Sequence, residues 1–287
     1  MRIDVHQHLW PAGFVEALRA RKAAPRLAGW TLVLDGEPDY QVDPADHDAA
    51  VRSASNRADA LDLALVSLSS PLGVELLPAA EATPLLDAYN AGALALPGGF
   101  AAWAAAGVVD PDPVALAGWL EAGCVGLQLP ALALADRSVF ERCAPLLAVL
   151  AEHGKPLFVH PGPAARRDVP AWWAANVDYV QQMHAAYFGY LAFVRPAYPG
   201  LKVCFALLGA LAPLHAERVA ARGGPPGAPG TAGPWFETSS YGAVAIGQLA
   251  AAVGWEHVVL GSDRPYAEPA VLDDEGAAER AVRLLLG

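Results

Sequence analysis

At 287 residues, with 54% hydrophobic and 17% charged side chains, the chain can bury a large core and is too apolar for global disorder. A net charge of −11 with no long basic run argues against nucleic-acid binding, which needs a positive face for phosphates. Three widely separated cysteines, Cys124, Cys143 and Cys204, form neither a disulfide framework nor a C-x-x-C pair; a reducing cytoplasm is their simplest home, and Cys124 and Cys204 read as inert core thiols.

The first strand is predicted over residues 2–6, with Asp4 inside it, which argues against a secretory leader. It runs into His6-Gln7-His8, where imidazoles at i and i+2 share one face. An insertion, roughly 11–57, follows. In it, Trp30-Thr31-Leu32-Val33-Leu34, the turn Asp35-Gly36-Glu37-Pro38 and Tyr40-Gln41-Val42 predict a small hairpin, and a helix starts near Pro44. A second strand is predicted at 63–67 and a helix at 83–94. The uncharged stretch 91–109 is long enough to cross a membrane, but Pro97-Gly98-Gly99 interrupts it; we expect a helix end and then a strand at 100–107.

Further strands are predicted at 125–129, 156–160, 201–206, 235–238 and 258–261, with helices at 113–121, 139–153, 244–253 and 275–286. A second insertion, 161–200, carries Trp172-Trp173 and a helix near 179–193. The Pro- and Gly-rich stretch 225–230 reads as a solvated loop, and no internal repeat or linker divides the chain. Eight strands that are apolar throughout, with helices between, indicate a parallel sheet covered on its outside. The expected architecture is α/β: a single-domain (β/α)8 TIM barrel over 1–287, with a small insertion after strand 1 and a lid-like insertion after strand 5.

Chemistry-bearing residues fall at the strand ends. His6 and His8 close the first strand, His160 closes the fifth and Asp263 follows the eighth. In a closed barrel the first and eighth strands are neighbours and the fifth lies opposite, so these four side chains can converge over the mouth. Three imidazoles and a carboxylate suit Zn²⁺ and also accept Mn²⁺, Fe²⁺ or Co²⁺. An ion held there acidifies a coordinated water toward neutrality, and Asp263 can both ligate and accept its proton.

The chain resembles the amidohydrolase-2 group of metal-dependent barrel hydrolases, relatives of aminocarboxymuconate semialdehyde decarboxylase and of sugar and pyrone lactonases. The resemblance rests on the opening Asp4-Val5-His6-Gln7-His8, on Val125-Gly126-Leu127-Gln128-Leu129 and on Val159-His160-Pro161. Thr238-Ser239-Ser240 and the ending Gly261-Ser262-Asp263-Arg264-Pro265-Tyr266 complete it. It implies that His6, His8, His160 and Asp263 are metal ligands, with His160 and Asp263 at the reaction centre. The family often pairs, and the apolar surface of the early insertion could serve a homodimer.

One departure matters. The family's sixth strand usually ends in an H-x-G-G motif whose His sits beside the metal-bound water; here the place reads Phe205-Ala206-Leu207-Leu208-Gly209-Ala210, with Leu207 for the His. Three explanations follow: Asp263 makes the proton transfers alone, His184 or His215 reaches in as an auxiliary acid or base, or the barrel binds without catalysis. Glu237 replaces the family's usual Asp before Thr-Ser. Arg264 could grip a substrate carboxylate or pair with Glu237 or Glu268; Gln128, Trp10 and Trp172 are further candidates for substrate contact.

These residues predict a mononuclear hydrolase of a small-molecule ester, lactone or amide. The alternative is a metal-dependent non-oxidative decarboxylase of an aromatic or unsaturated acid; a catalytically silent binding barrel is the third reading. The expected partner is a small-molecule substrate, with neither nucleic acid nor membrane.

Overall fold

The computed structural model describes residues 1–35, 39–164, 168–170, 172–225 and 233–287. The strands are β1 (Ile3–His8), β2 (Arg26–Ala28), β3 (Thr31–Val33), β4 (Tyr40–Gln41), β5 (Leu63–Ser67), β6 (Phe100–Ala105), β7 (Gly126–Pro130), β8 (Leu157–His160), β9 (Val203–Phe205), β10 (Trp235–Glu237) and β11 (Val258–Val259). Eight of them, in the order β1-β5-β6-β7-β8-β9-β10-β11, form one parallel sheet. Its two edges meet: Val5 N donates to Leu260 O at 2.9 Å, Asp263 N to His6 O at 2.8 Å and His8 N to Arg264 O at 2.6 Å. The molecule is therefore a TIM barrel, and all eight predicted barrel strands are present.

The seam is polar although it is buried. Asp4, fully buried, accepts from Ser262 N at 3.0 Å, Ser262 Oγ at 2.6 Å, Gln7 Nε2 at 2.8 Å and His6 N at 3.0 Å. Taking the His6 amide away from the ladder accompanies a register shift in β1 between Asp4 and Gln7. Gln7 points to the opposite side from the two histidines. There its amide also donates to Asn56 Oδ1 at 3.0 Å, and its carbonyl accepts from Arg52 Nη1 at 3.2 Å. One strand end thus serves two tasks, imidazoles inward and a helix-anchoring amide outward.

The helices predicted between the barrel strands are present, and the structure adds shorter ones that were not expected, among them Ala12–Ala20 and Ala216–Ala221. Asp112 and Asp136 cap the helices Pro113–Glu121 and Arg137–His153 by accepting backbone N–H groups of the first turn. The uncharged stretch near residue 100 splits into the helix Ala79–Leu94 and strand β6, and no described helix is long and apolar enough to cross a membrane.

Both insertions leave carboxyl ends of barrel strands. The first opens with the helix Ala12–Ala20 and continues as a three-stranded antiparallel sheet, β2-β3-β4, one strand more than the expected hairpin. A short turn, Pro44–His47, and the helix Ala49–Ala58 follow it. The expected turn at 35–38 and the loop at 225–230 lie outside the described residues for 36–38 and 226–230. The second insertion contains the helix Tyr179–Gly189, flanked on both sides by wider π-type turns. All three cysteines are buried and free.

Candidate metal centre

The barrel floor beneath the site is aromatic. Trp103 stacks on Phe158 with centroids 5.3 Å apart, and Phe158 meets His6 edge-on at 5.0 Å. Above it, His6, His8, His160 and Asp263 offer ligand atoms that all lie within 4.8 Å of one another. His6 Nε2 is 3.1 Å from His8 Nε2, and His8 Nε2 is 3.3 Å from His160 Nε2. Asp263 Oδ1 approaches His6 Nε2 at 3.3 Å and His8 Nε2 at 3.1 Å.

The outer nitrogens decide the tautomers. His8 Nδ1 donates to Ser67 O at 3.0 Å and His160 Nδ1 to Pro161 O at 2.8 Å. A carbonyl oxygen only accepts, so these neutral rings keep their hydrogen on Nδ1 and turn an Nε2 lone pair inward. His6 Nδ1 faces Glu237 Oε1 at 3.2 Å. Converging lone pairs repel one another unless a cation lies among them. The donor set therefore fits a divalent ion, and carbonyl or carboxylate partners behind each ring are the usual support of metal-binding imidazoles.

Electrostatics point the same way. Burial disfavours charge on His6, but Glu237 and Asp263 outweigh it and leave its pKa raised. Burial lowers that of His8, only partly offset by Asp263, and burial with the neighbouring His6 and His8 holds His160 well below the ordinary value. Burial pushes the Asp263 carboxyl up, and the three histidines more than reverse this. Neutral rings at His8 and His160 beside an ionised Asp263 are the protonation states in which these groups ligate a cation.

A cavity of about 960 Å³ opens above the four ligands, lined in part by His8, His160, Asp263 and Leu207. The second insertion supplies another wall through Val169, Pro170, Tyr179 and Val180, as a lid-like segment should. Leu207 begins a run that is left-handed throughout: φ is 53° at Leu207, 50° at Leu208, 58° at Gly209, 53° at Ala210 and 57° at Leu211. For residues with a Cβ this conformation costs about 1–2 kcal/mol each, so the turn is held by its surroundings.

Other candidate site residues lie elsewhere. Trp10 is buried, donates its indole N–H to Ser69 Oγ at 3.0 Å and stacks on His47 at 4.2 Å. Gln128 is also buried, its amide donating to Leu68 O at 2.7 Å and Ser70 Oγ at 2.8 Å. Trp172 is 58% exposed, is tilted against Trp173 and is not part of the cavity lining. Arg264 is engaged by Asp59 and Glu268 at 2.5 Å, the salt-bridge alternative, and not by Glu237.

His184 and His215 meet each other at 5.2 Å and do not line the cavity, so neither stands in for the missing imidazole. The structure therefore does not bring Trp10, Gln128, Trp172 and Arg264, expected at the substrate, or His184 and His215, expected as auxiliary acids or bases, into the lining of the cavity above the four ligands. Each has a partner in the core or on the surface that strand-end position alone did not reveal.

Two contributors went unrecognised in the sequence. Tyr266, three residues after Asp263, lines the cavity with its ring 5.7 Å from that of His8. Glu237 is the partner of His6. Its unusual place before Thr238-Ser239 was a visible signal, but its direction toward His6 was not.

Comparison with known proteins agrees with this geometry. The amidohydrolase family model matches residues 3–285. The chain belongs to the amidohydrolase family.

Among solved structures, this amidohydrolase is similar to the Metarhizium anisopliae IDCase in apo form at 15% identity, covering 99% of this chain and 90% of that one, with a TM-score of 0.76. It is similar to 2,6-dihydroxybenzoate decarboxylase from Rhizobium at 15% identity, with 99% of both chains covered and a TM-score of 0.72. A third is 5-carboxyvanillate decarboxylase from Novosphingobium aromaticivorans, solved with manganese and 4-hydroxy-3-methoxy-5-nitrobenzoic acid. It shows 16% identity, coverage of 100% and 93%, and a TM-score of 0.67. At these identities the likeness is one of fold. No curated protein matches the chain.

Proposed function

We propose that this amidohydrolase is a mononuclear metal-dependent enzyme that decarboxylates a small aromatic or unsaturated acid without an oxidant. The observation that carries this reading is the convergence of three imidazole lone pairs and the Asp263 carboxylate beneath the cavity of about 960 Å³. Decarboxylation, the alternative at the level of sequence, is preferred to hydrolysis because structural neighbours that span nearly the whole chain are named decarboxylases. Manganese in one of them supports Mn²⁺ beside Zn²⁺ as the ion.

A divalent ion held by His6, His8, His160 and Asp263 supplies a Lewis acid for the acid's oxygens. Asp263 has 16% of its side chain open, more than either of the two β1 histidines, which are closed to solvent, and can hold a proton for the carbon that loses CO₂. Leu207, Val169 and Val180 give the cavity part of an apolar lining against which an aromatic or unsaturated acid could pack.

Hydrolysis of an ester or lactone is the second reading, favoured by Leu207, since an aliphatic side chain at the sixth strand leaves Asp263 as the proton carrier. The test is to load the purified protein with Mn²⁺ or Zn²⁺ and offer 2,6-dihydroxybenzoate, 5-carboxyvanillate, and a panel of lactones and activated esters. CO₂ release that disappears in Asp263→Asn with metal retained supports decarboxylation. Ester or lactone turnover without CO₂ moves the assignment to hydrolysis, and no turnover with metal bound leaves a binding barrel.

A further inference from the structure

Glu237 is not one of the four ligands, yet it is bonded to three separate parts of the site. Its Oε1 accepts from His6 Nδ1 at 3.2 Å, from Leu207 N at 2.7 Å and from Ser239 Oγ at 2.7 Å. Its Oε2 accepts from Ser239 N at 2.7 Å. The side chain is fully buried, and among the described residues no lysine or arginine pairs with it.

The slot it occupies is built for it. A Cβ on Gly261, in the neighbouring chain segment just after β11, would lie 2.1 Å from Glu237 Oε2, so that position must be glycine for the carboxylate to fit. Charge balance gives the arrangement a purpose. Two carboxylates, the fully buried Glu237 and the mostly buried Asp263, flank three imidazoles, and one dipositive ion offsets their charge. A buried carboxylate left without such compensation is strongly disfavoured.

We propose that Glu237 is a positioning residue that acts on the bound divalent ion through His6. It holds the Nδ1 hydrogen of His6 and so turns the Nε2 lone pair to the ion. It also supplies the second negative charge that matches a dipositive ion. Through the Leu207 amide it ties that geometry to the left-handed turn in the cavity wall. The inference rests on the metal-centre reading above, and it concerns the grip on the ion rather than the reaction.

The test is a Mn²⁺ titration, up to millimolar, of the metal-free wild type, Glu237→Gln, His6→Ala and the double variant, with the thermal midpoint of each metal-free protein measured alongside. Glu237→Gln should bind Mn²⁺ about 10- to 100-fold more weakly while its metal-free form stays folded. In the His6→Ala background the same change should cost clearly less, because the hydrogen-bonded route through His6 is gone and only the carboxylate's charge still reaches the ion. An unchanged affinity in Glu237→Gln overturns the proposal, as does a loss of equal size with and without His6. A wild type that binds no Mn²⁺ is a different result and removes the metal centre itself. Should Glu237→Gln not fold, nitrogen NMR of the Zn²⁺-loaded wild type decides instead: the proposal requires a hydrogen on Nδ1 of His6, and a bare Nδ1 overturns it.

Discussion

His8 Nε2 and His160 Nε2 face each other at 3.3 Å although the Nδ1 of each ring already donates to a main-chain carbonyl. An ion placed between these opposed lone pairs would add to the stability of the folded state. We expect added Mn²⁺ to raise the unfolding free energy by about 2.7 kcal/mol at a hundred times its dissociation constant, and chelation to reverse this. Replacing His160 with Ala should abolish the response, measured as the shift of the denaturant midpoint on adding metal.

Leu207 reaches the cavity on a strained turn, at the place where the family resemblance of the sequence implies a histidine. Leu207→His should fit, since histidine tolerates a positive φ better than leucine does. If the chain decarboxylates, the added imidazole should raise CO₂ release from a hydroxybenzoate by about a hundred-fold. A rate within about twofold of wild type would show that the proton path does not pass position 207.

Arg264 should contribute little to substrate affinity. Its guanidinium is held by Asp59, 32% exposed, and by Glu268, 81% exposed. Such a partly solvated pair is worth about 1 kcal/mol or less. Arg264→Ala should therefore leave KM for a carboxylate substrate within about twofold, with a small loss of stability; a tenfold rise in KM would return Arg264 to the substrate.

His47 makes stability depend on pH. Burial first, then the nearby Arg52 and His8, push its pKa down from 6.5 to about 3. Neutrality is structural, because Nδ1 accepts the Trp10 amide at 3.1 Å. The folded pKa lies below the unfolded one, so the unfolded chain binds the extra proton in between. This stabilisation is complete above about pH 6.5 and is lost as the pH falls toward 3, at up to about 1.4 kcal/mol per unit. His47→Asn keeps an acceptor but cannot ionise. Urea midpoints from pH 7.5 to 4 should fall less steeply in this variant than in the wild type.

Residues legible in the sequence share a property: their meaning is local. The eight barrel strands announce themselves as short apolar runs between amphipathic helices. His6, His8, His160 and Asp263 stand at strand ends, and strand count with parallel pairing dictates that such ends meet at one mouth. The convergence of these four side chains could thus be read before any coordinate.

Direction and partnership across the barrel were decided only by the tertiary structure. Trp10 and Gln128 also stand near strand ends, yet Ser69 and Ser70 accept from their side-chain N–H groups inside the core. His184 and His215 pair with each other instead of with an ion. Glu237 reaches His6 across 231 positions of sequence, through space that exists because Gly261 has no side chain. Periodicity along the chain says which face a residue occupies. Which atom meets it there depends on how separate strands close around a common axis, and only the closed barrel fixes those distances.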